Sequence, residues 1–302
     1  MDEWHVGDPE DWGDSVGVPD IPYMGYLNGD DGNDDERPPV RNPTRAPTDM
    51  VLSDEAWKLY NEYRSDEAIV LINRAIEIND RYFNHWNRKG IILEDLCRYE
   101  ESKECYQQSL ILKPGNDVVL ANMARMMEEW ARHEKDARRA LEIITEAISL
   151  LPSIKQEMDV AGFWRVKGET YYRLNDNVEA RRCYLRADNL LDELREFDEK
   201  IDYLKTTTDT LINIAGTRFY NNDSLVEKGS VVDLIPEPDN EHDGDAIRVE
   251  VNGKTLGYVA NSPQTLIDEV KSATDLKDKL KPNQKAEIKF WYMSWALIAK
   301  LI

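Results

Sequence analysis

WNRKGIILEDLCRYEESKECYQQSLILKP, residues 86–114, decides how the middle of this chain folds. Trp86, Gly90 and Leu93 stand at helical spacing, Ser102, Tyr106 and Ser109 repeat that spacing, and Pro114 closes the pattern. A shift of 34 residues upstream meets Leu52, Ala56 and Leu59, then Ala68, Ile72 and Ala75. Downstream stand Leu120, Ala124 and Met127, followed after four extra residues by Ala140, Ile144, Ala147 and Pro152. A further unit, Trp164, Gly168, Tyr171, Ala180, Tyr184 and Ala187, has no insertion. The small residues Ala56, Gly90, Ala124 and Gly168 share one register and let two antiparallel helices approach, while bulky neighbours fill the interface. A single pair would leave an apolar face wet, so stacking is obligatory and an α-solenoid of helix-turn-helix units follows.

Period and positions together resemble tetratricopeptide repeats over roughly residues 49–194, although Asp80 and Asp192 replace the terminating proline. Leu194, Phe197, Ile201 and Leu204 predict one more helix, capping the array and extending it to residue 205. The resemblance implies a concave groove, lined by the first helix of each pair, that holds a protein or peptide. In the predicted register it carries Trp57, Tyr60, Asn84, Asn87, Ile91, Arg125, Arg165 and Tyr172. Ser53 and Trp57 stand where chaperone-tail receptors of this family begin their carboxylate clamp with Lys and Asn, which disfavours that ligand. Arg125 and Arg165 suit a ligand or solvated ion pairs equally.

From Thr208 onward the helical period gives way to short β-type runs: 211–219, 231–235, 246–251, 256–259 and 286–302, the last long enough for two strands. Asn252-Gly253 is a hairpin signal. One helix is predicted over 264–280, with Leu266, Ile267, Val270, Leu276 and Leu280 as its buried stripe. The expected fold class is therefore multidomain α + β: an acidic disordered tail at 1–48, the repeat array at 49–205, and a small β-barrel-like domain with one helix at 209–302.

Three blocks in that last domain carry a second resemblance: Gly216-Thr217-Arg218-Phe219-Tyr220, then Glu237-Pro238-Asp239-Asn240-Glu241-His242-Asp243 with Ala246-Ile247, then Gly257-Tyr258. In this order they resemble a HIRAN domain, a module found alone or attached to DNA-repair translocases. In one helicase-like member it captures the 3′-hydroxyl end of single-stranded DNA. The resemblance implies that Arg218 holds a phosphate, that Phe219 or Tyr220 stacks on a terminal base, and that Asn240, His242 and Asp243 complete the pocket. The Asp243 carboxylate would accept a hydrogen bond from the terminal hydroxyl and repel a 3′-phosphate. The plainer reading makes Phe219 core, pairs Arg218 with an acid and treats 240–244 as a turn. Lys271, Lys277, Lys279, Lys281, Lys285 and Lys289 would supply backbone contacts or only a solvated face.

Other chemistries fit less well. Asp239, Glu241, Asp243, Gly244 and Glu250 fall on calcium-loop positions, but strands are predicted on both sides where an EF-hand needs helices. Gly253-Lys254-Thr255 ends like a P-loop, yet Arg248 replaces its first glycine and a hairpin follows. Four histidines and three cysteines, without ligand spacing or a nucleophile elbow, point to no enzyme, no metal and no cofactor. The formal net charge of −21 argues against nucleic acid, but residues 1–50 alone hold 13 acids against 3 bases. Asp, Gly and Pro dominate that stretch, which has no periodic apolar face, so it is expected to stay unfolded, with Trp4, Trp12, Tyr23 and Tyr26 as a possible docking motif. No apolar run spans a bilayer, no basic leader opens the chain, and Cys97, Cys105 and Cys183 form no CxxC pair, which together predict a reduced cytoplasmic protein without membrane contact. The expected function is a non-enzymatic adaptor in DNA repair or replication: the β domain binds single-stranded DNA ends and the array binds a protein. The rival is a pure protein scaffold, supported by 15 acids against 11 bases from Asp209 onward.

Overall fold

The computed structural model describes residues 48–293 and 295–302, so the segment expected to be disordered lies outside the described residues except for Thr48, which opens the first helix. Eight helices then form four antiparallel pairs: α1 (Thr48–Asn61) with α2 (Ser65–Ile78), α3 (Phe83–Asp95) with α4 (Tyr99–Leu112), α5 (Asp117–His133) with α6 (Ala137–Leu150), and α7 (Val160–Arg173) with α8 (Asn177–Ala187). Asn116, Asp136, Asp159 and Asp176 start α5 to α8 by accepting backbone N–H groups with their side chains. The turns within three pairs pass through a left-handed residue, Tyr63 (φ 60°), Cys97 (φ 54°) or Asn175 (φ 61°). In the third pair the extra residues lengthen α5 to 17 residues instead.

The predicted close contacts are where the sequence places them. A Cβ on Gly90 would meet Tyr106 Cε1 at 2.8 Å, and one on Gly168 would meet Tyr184 Cε1 at the same 2.8 Å. The equivalent positions of the first and third pairs are Ala56 with Ile72 and Ala124 with Ile144, all fully buried. Glycine thus accompanies tyrosine, and alanine the smaller isoleucine.

The chain divides into two compact units between Asn189 and Leu190. The helix predicted after the fourth pair forms as α9 (Leu191–Thr206) and completes a helical stretch over 48–206; Phe197 stacks on Tyr292 at 6.3 Å and Tyr203 meets the Phe290 ring edge-on at 5.8 Å. Phe197, Ile201 and Leu204 of its apolar stripe are buried.

The β domain is a closed antiparallel barrel of β1 (Leu211–Ala215), β2 (Val231–Pro236), β3 (Ile247–Val251), β4 (Lys254–Val259), β5 (Lys285–Tyr292) and β6 (Ala296–Leu301), in the order β1-β4-β3-β2-β5-β6. Ile247, Val249 and Val251 point inward while Arg248 and Glu250 point outward, so the wall has an apolar and a charged face. Closure leaves no open edge. Asn252 (φ 51°) and Gly253 (φ 72°) make the predicted hairpin turn.

Two predicted elements are shorter than expected. Strand β1 stops at Ala215 because Gly216 adopts φ 75° and sends the chain into a tight 3₁₀ turn, Thr217–Phe219. The helix expected over 264–280 shrinks to α10 (Ala273–Leu276), opened by a Ser272–Asp275 capping box. Ile267, Val270, Ala273 and Leu276 are still buried. However, the Lys271 N–H donates to Leu211 O at 2.8 Å and the Ala273 N–H to Ala260 O at 3.1 Å, so barrel carbonyls take the donors that a helix would need.

Candidate nucleic-acid interface and repeat groove

Gly216 positions the first set of predicted residues. Arg218 lies with its guanidinium carbon 5.0 Å from the Phe219 ring centroid, and Phe219 itself is 72% exposed. The reading of Phe219 as core is thereby overturned. Tyr220, 38% exposed, leans on Tyr258 of β4, with ring centroids 6.2 Å apart. Gly257 lets β4 come close to β1 at this point, since a Cβ there would lie 2.5 Å from Ala215 O.

Glu237, the residue after β2, ties this wall to the loop that holds the second set. Its Oε2 accepts from Tyr258 Oη at 3.0 Å and from Asn240 Nδ2 at 3.0 Å, and its Oε1 lies 3.3 Å from Arg248. Arg248 also reaches Glu250 at 3.1 Å. Partial burial, then the Glu237 hydrogen bond, push the Tyr258 hydroxyl up to about 12, so it stays a donor at neutral pH. Asn240 Oδ1 accepts the backbone N–H groups of His242 (3.0 Å) and Asp243 (3.2 Å), which shapes the loop. The turn reading of 240–244 is thus correct as geometry, and the same turn presents Asp243.

Asp243 Oδ1 accepts the Asp245 N–H at 2.9 Å, and Oδ2 accepts Asn261 Nδ2 at 2.8 Å. His242 is exposed on the loop surface. Tyr220, Tyr258 and Glu237 link the turn that carries Arg218 and Phe219 to this loop. Of the candidate lysines, Lys277 pairs with Asp245, Lys285 with Asp233 and Lys289 with Glu287, whereas Lys271, Lys279 and Lys281 are exposed. The segments flanking the calcium-like stretch are strands β2 and β3, as expected.

On the array, the predicted groove is only partly open. Tyr60, Asn84, Asn87 and Ile91 are buried, because neighbouring pairs cover them, and so they pack helices together rather than face a ligand. Asn122 Nδ2 donates to Asn87 Oδ1 at 3.3 Å, and Arg125 donates to Asn122 Oδ1 at 2.7 Å, making a polar seam between α3 and α5. Trp57 is half-buried with Arg88 5.6 Å over its ring. Arg125 is half-buried, and Arg165 and Tyr172 are exposed, Arg165 pairing with Asp188 at 3.1 Å.

Comparison with known proteins bears on both units. The HIRAN domain model matches residues 208–286. A tetratricopeptide repeat model matches residues 86–116, the stretch around Gly90. An uncharacterised protein of Methanocaldococcus jannaschii is 38% identical over 48 residues, 16% of this chain and 56% of that protein, so the chain spans about half the length of the curated relative it matches. Among solved structures, MamA (13% identity, TM-score 0.36) covers 50% of this chain and 81% of its own. The Arabidopsis OM64 tetratricopeptide domain (14% identity, TM-score 0.31) covers 41% of this chain and 94% of its own.

Three further polar side chains stand at this face, Glu237, Tyr258 and Asn261. Glu237 and Tyr258 lie inside the quoted blocks, and the hydrogen bond between them shows their part in the wall. Asn261 lies outside the blocks, and nothing in its local sequence marks it. Among the described residues, no helix is long and apolar enough to cross a membrane.

Proposed function

We propose that this protein is a non-enzymatic adaptor whose HIRAN module binds single-stranded DNA by its 3′ end, while the repeat array holds a protein or peptide. One observation carries the reading. A solvent-facing Arg218–Phe219–Tyr220 face joins, through Tyr258 and Glu237, a loop that presents an ionisable oxygen acceptor at Asp243. An exposed aromatic ring beside a guanidinium suits a base and its phosphate, since stacking on such a ring contributes ~1 to 3 kcal/mol per base. Asp243 then meets the terminal hydroxyl and disfavours a terminal phosphate. A role at DNA ends during repair or replication follows from that ligand. In the array, Trp57, Arg125, Arg165 and Tyr172 remain to receive the partner.

A protein scaffold is the second reading, favoured by the ion pairs that occupy Lys277, Lys285 and Lys289 and so reduce the basic surface open to phosphate. Electrophoretic shift of the full chain with single-stranded DNA, single-stranded RNA and duplex DNA, at about 50 and about 200 mM salt, separates the two. A shift with single strands that weakens at higher salt supports the adaptor. No shift at either salt leaves the scaffold.

A further inference from the structure

We infer that Asn261 is a positioning residue for Asp243 and sets the end selectivity of the HIRAN module, an inference that rests on the proposed binding of single-stranded ends. The orientation of its amide is fixed by chemistry. Asn261 Oδ1 accepts the Thr274 backbone N–H at 3.0 Å, and a backbone N–H can only donate. The Nδ2 group must therefore face Asp243 Oδ2, 2.8 Å away.

The far side of the loop is buttressed in the same way. Asp245, two residues along, would repel Asp243 if it were left unpaired. Instead, Lys277 reaches its Oδ1 at 2.5 Å and the Thr274 hydroxyl donates to its Oδ2 at 2.6 Å. Lys277, then Thr274, hold the Asp245 carboxyl below the usual carboxylate range. Its backbone N–H is the second donor to Asp243, at 2.9 Å.

Asp243 is thus held at both oxygens by donors that cannot accept a proton in return. A carboxylate offers about four acceptor directions. Two are used here, so each oxygen keeps one for a hydroxyl from the ligand. Asn261 fixes where that direction points, and the loop pays no ordering cost when the strand end arrives. Loss of Asn261 would free the carboxylate to turn toward water and blur the difference between a hydroxyl and a phosphate end.

The test uses the full chain and two single-stranded DNA oligonucleotides that differ only in a 3′-hydroxyl or a 3′-phosphate, read by fluorescence anisotropy. For Asn261→Ala, affinity for the hydroxyl end should fall about tenfold, the size expected for loss of a positioned charge-assisted hydrogen bond, while affinity for the phosphate end stays the same. Asn261→Gln keeps an amide donor and should recover part of the selectivity; a purely structural role would not give this rescue. Selectivity unchanged in Asn261→Ala, with the parent chain selective, overturns the positioning role and leaves end binding intact. A parent chain that binds neither oligonucleotide removes both. If Asn261→Ala fails to fold, Thr274→Val takes its place: it loses the hydroxyl that lies 2.6 Å from Asp245 Oδ2 and 2.9 Å from Asn261 Oδ1 but keeps the backbone N–H on Asn261, and a smaller fall in selectivity is expected. Full selectivity in that variant contradicts the buttress.

Discussion

Gly90 and Tyr106 are shaped for each other: a methyl group at position 90 would lie 2.8 Å from Tyr106 Cε1, and the ring is fully buried with its hydroxyl 3.2 Å from Glu94. Such a ring cannot swing aside cheaply. Gly90→Ala should therefore destabilise the array by ~1 to 3 kcal/mol despite improving helix propensity. The double change Gly90→Ala with Tyr106→Ile reproduces the Ala/Ile pairing of the first and third units and should recover most of the loss. Thermal unfolding followed by circular dichroism checks this; an unaltered melting point for the single variant would mean that the helices are not packed at this contact.

Gly257 poses a harder constraint, because the nearest neighbour of an added Cβ is the backbone oxygen of Ala215 at 2.5 Å. A backbone atom in a closed barrel has nowhere to retreat. Gly257→Ala is expected to lower the stability of the barrel by more than the ~1 to 3 kcal/mol typical of overpacking. Calorimetry of the full chain should show an earlier transition for the C-terminal unit.

His85 makes the array sensitive to acid. It is fully buried, with Nε2 3.3 Å from Asp49 Oδ2 and with no hydrogen-bond partner for Nδ1 among the described residues. Burial lowers its pKa, outweighing the contrary pull of Asp49. The unfolded chain, with a histidine near 6.5, then takes up the proton first. Stability is full above about pH 6.5 and declines as the pH falls below it. His85→Gln should flatten that decline, measured as melting temperature between about pH 7.5 and about pH 5.5.

Phe219 distinguishes function from folding. Because it is 72% exposed, Phe219→Ala should change stability by no more than about 0.5 kcal/mol. The same change should weaken single-stranded DNA binding by about fivefold or more, from the loss of one stacked base at ~1 to 3 kcal/mol. Equal affinity in parent and variant would return Phe219 to a role unrelated to the ligand.

The repeat register was legible because steric size recurs at fixed spacing, and Gly90/Tyr106 and Gly168/Tyr184 show the pairing directly. The groove was less legible. Position in a helix identifies the face on which Asn84 and Asn87 lie, but the next pair decides whether that face is open, and here it is closed. Amphipathic spacing identified the buried side of α9, where Phe197, Ile201 and Leu204 are covered. In the stretch 264–280 the spacing of Ile267, Val270 and Leu276 fits a helix, yet it serves a looping segment whose backbone donors go to barrel carbonyls. The Arg218–Tyr220 and Asn240–Asp243 sets were visible as motifs. The side chains that connect and orient them, Glu237, Tyr258 and Asn261, emerge only from three-dimensional hydrogen bonding.

The central claim is capture of a strand end by the HIRAN module, and fluorescence anisotropy of the full chain tests it most directly. Labelled single-stranded DNA bearing a free 3′-hydroxyl should bind more tightly than the same strand with a 3′-phosphate or a closed circle of equal length. Asp243→Ala should erase that preference, because it removes the carboxylate proposed to accept the hydroxyl and repel the phosphate. Indistinguishable affinity for all three ligands, or no binding at low salt where phosphate contacts are strongest, would contradict the account.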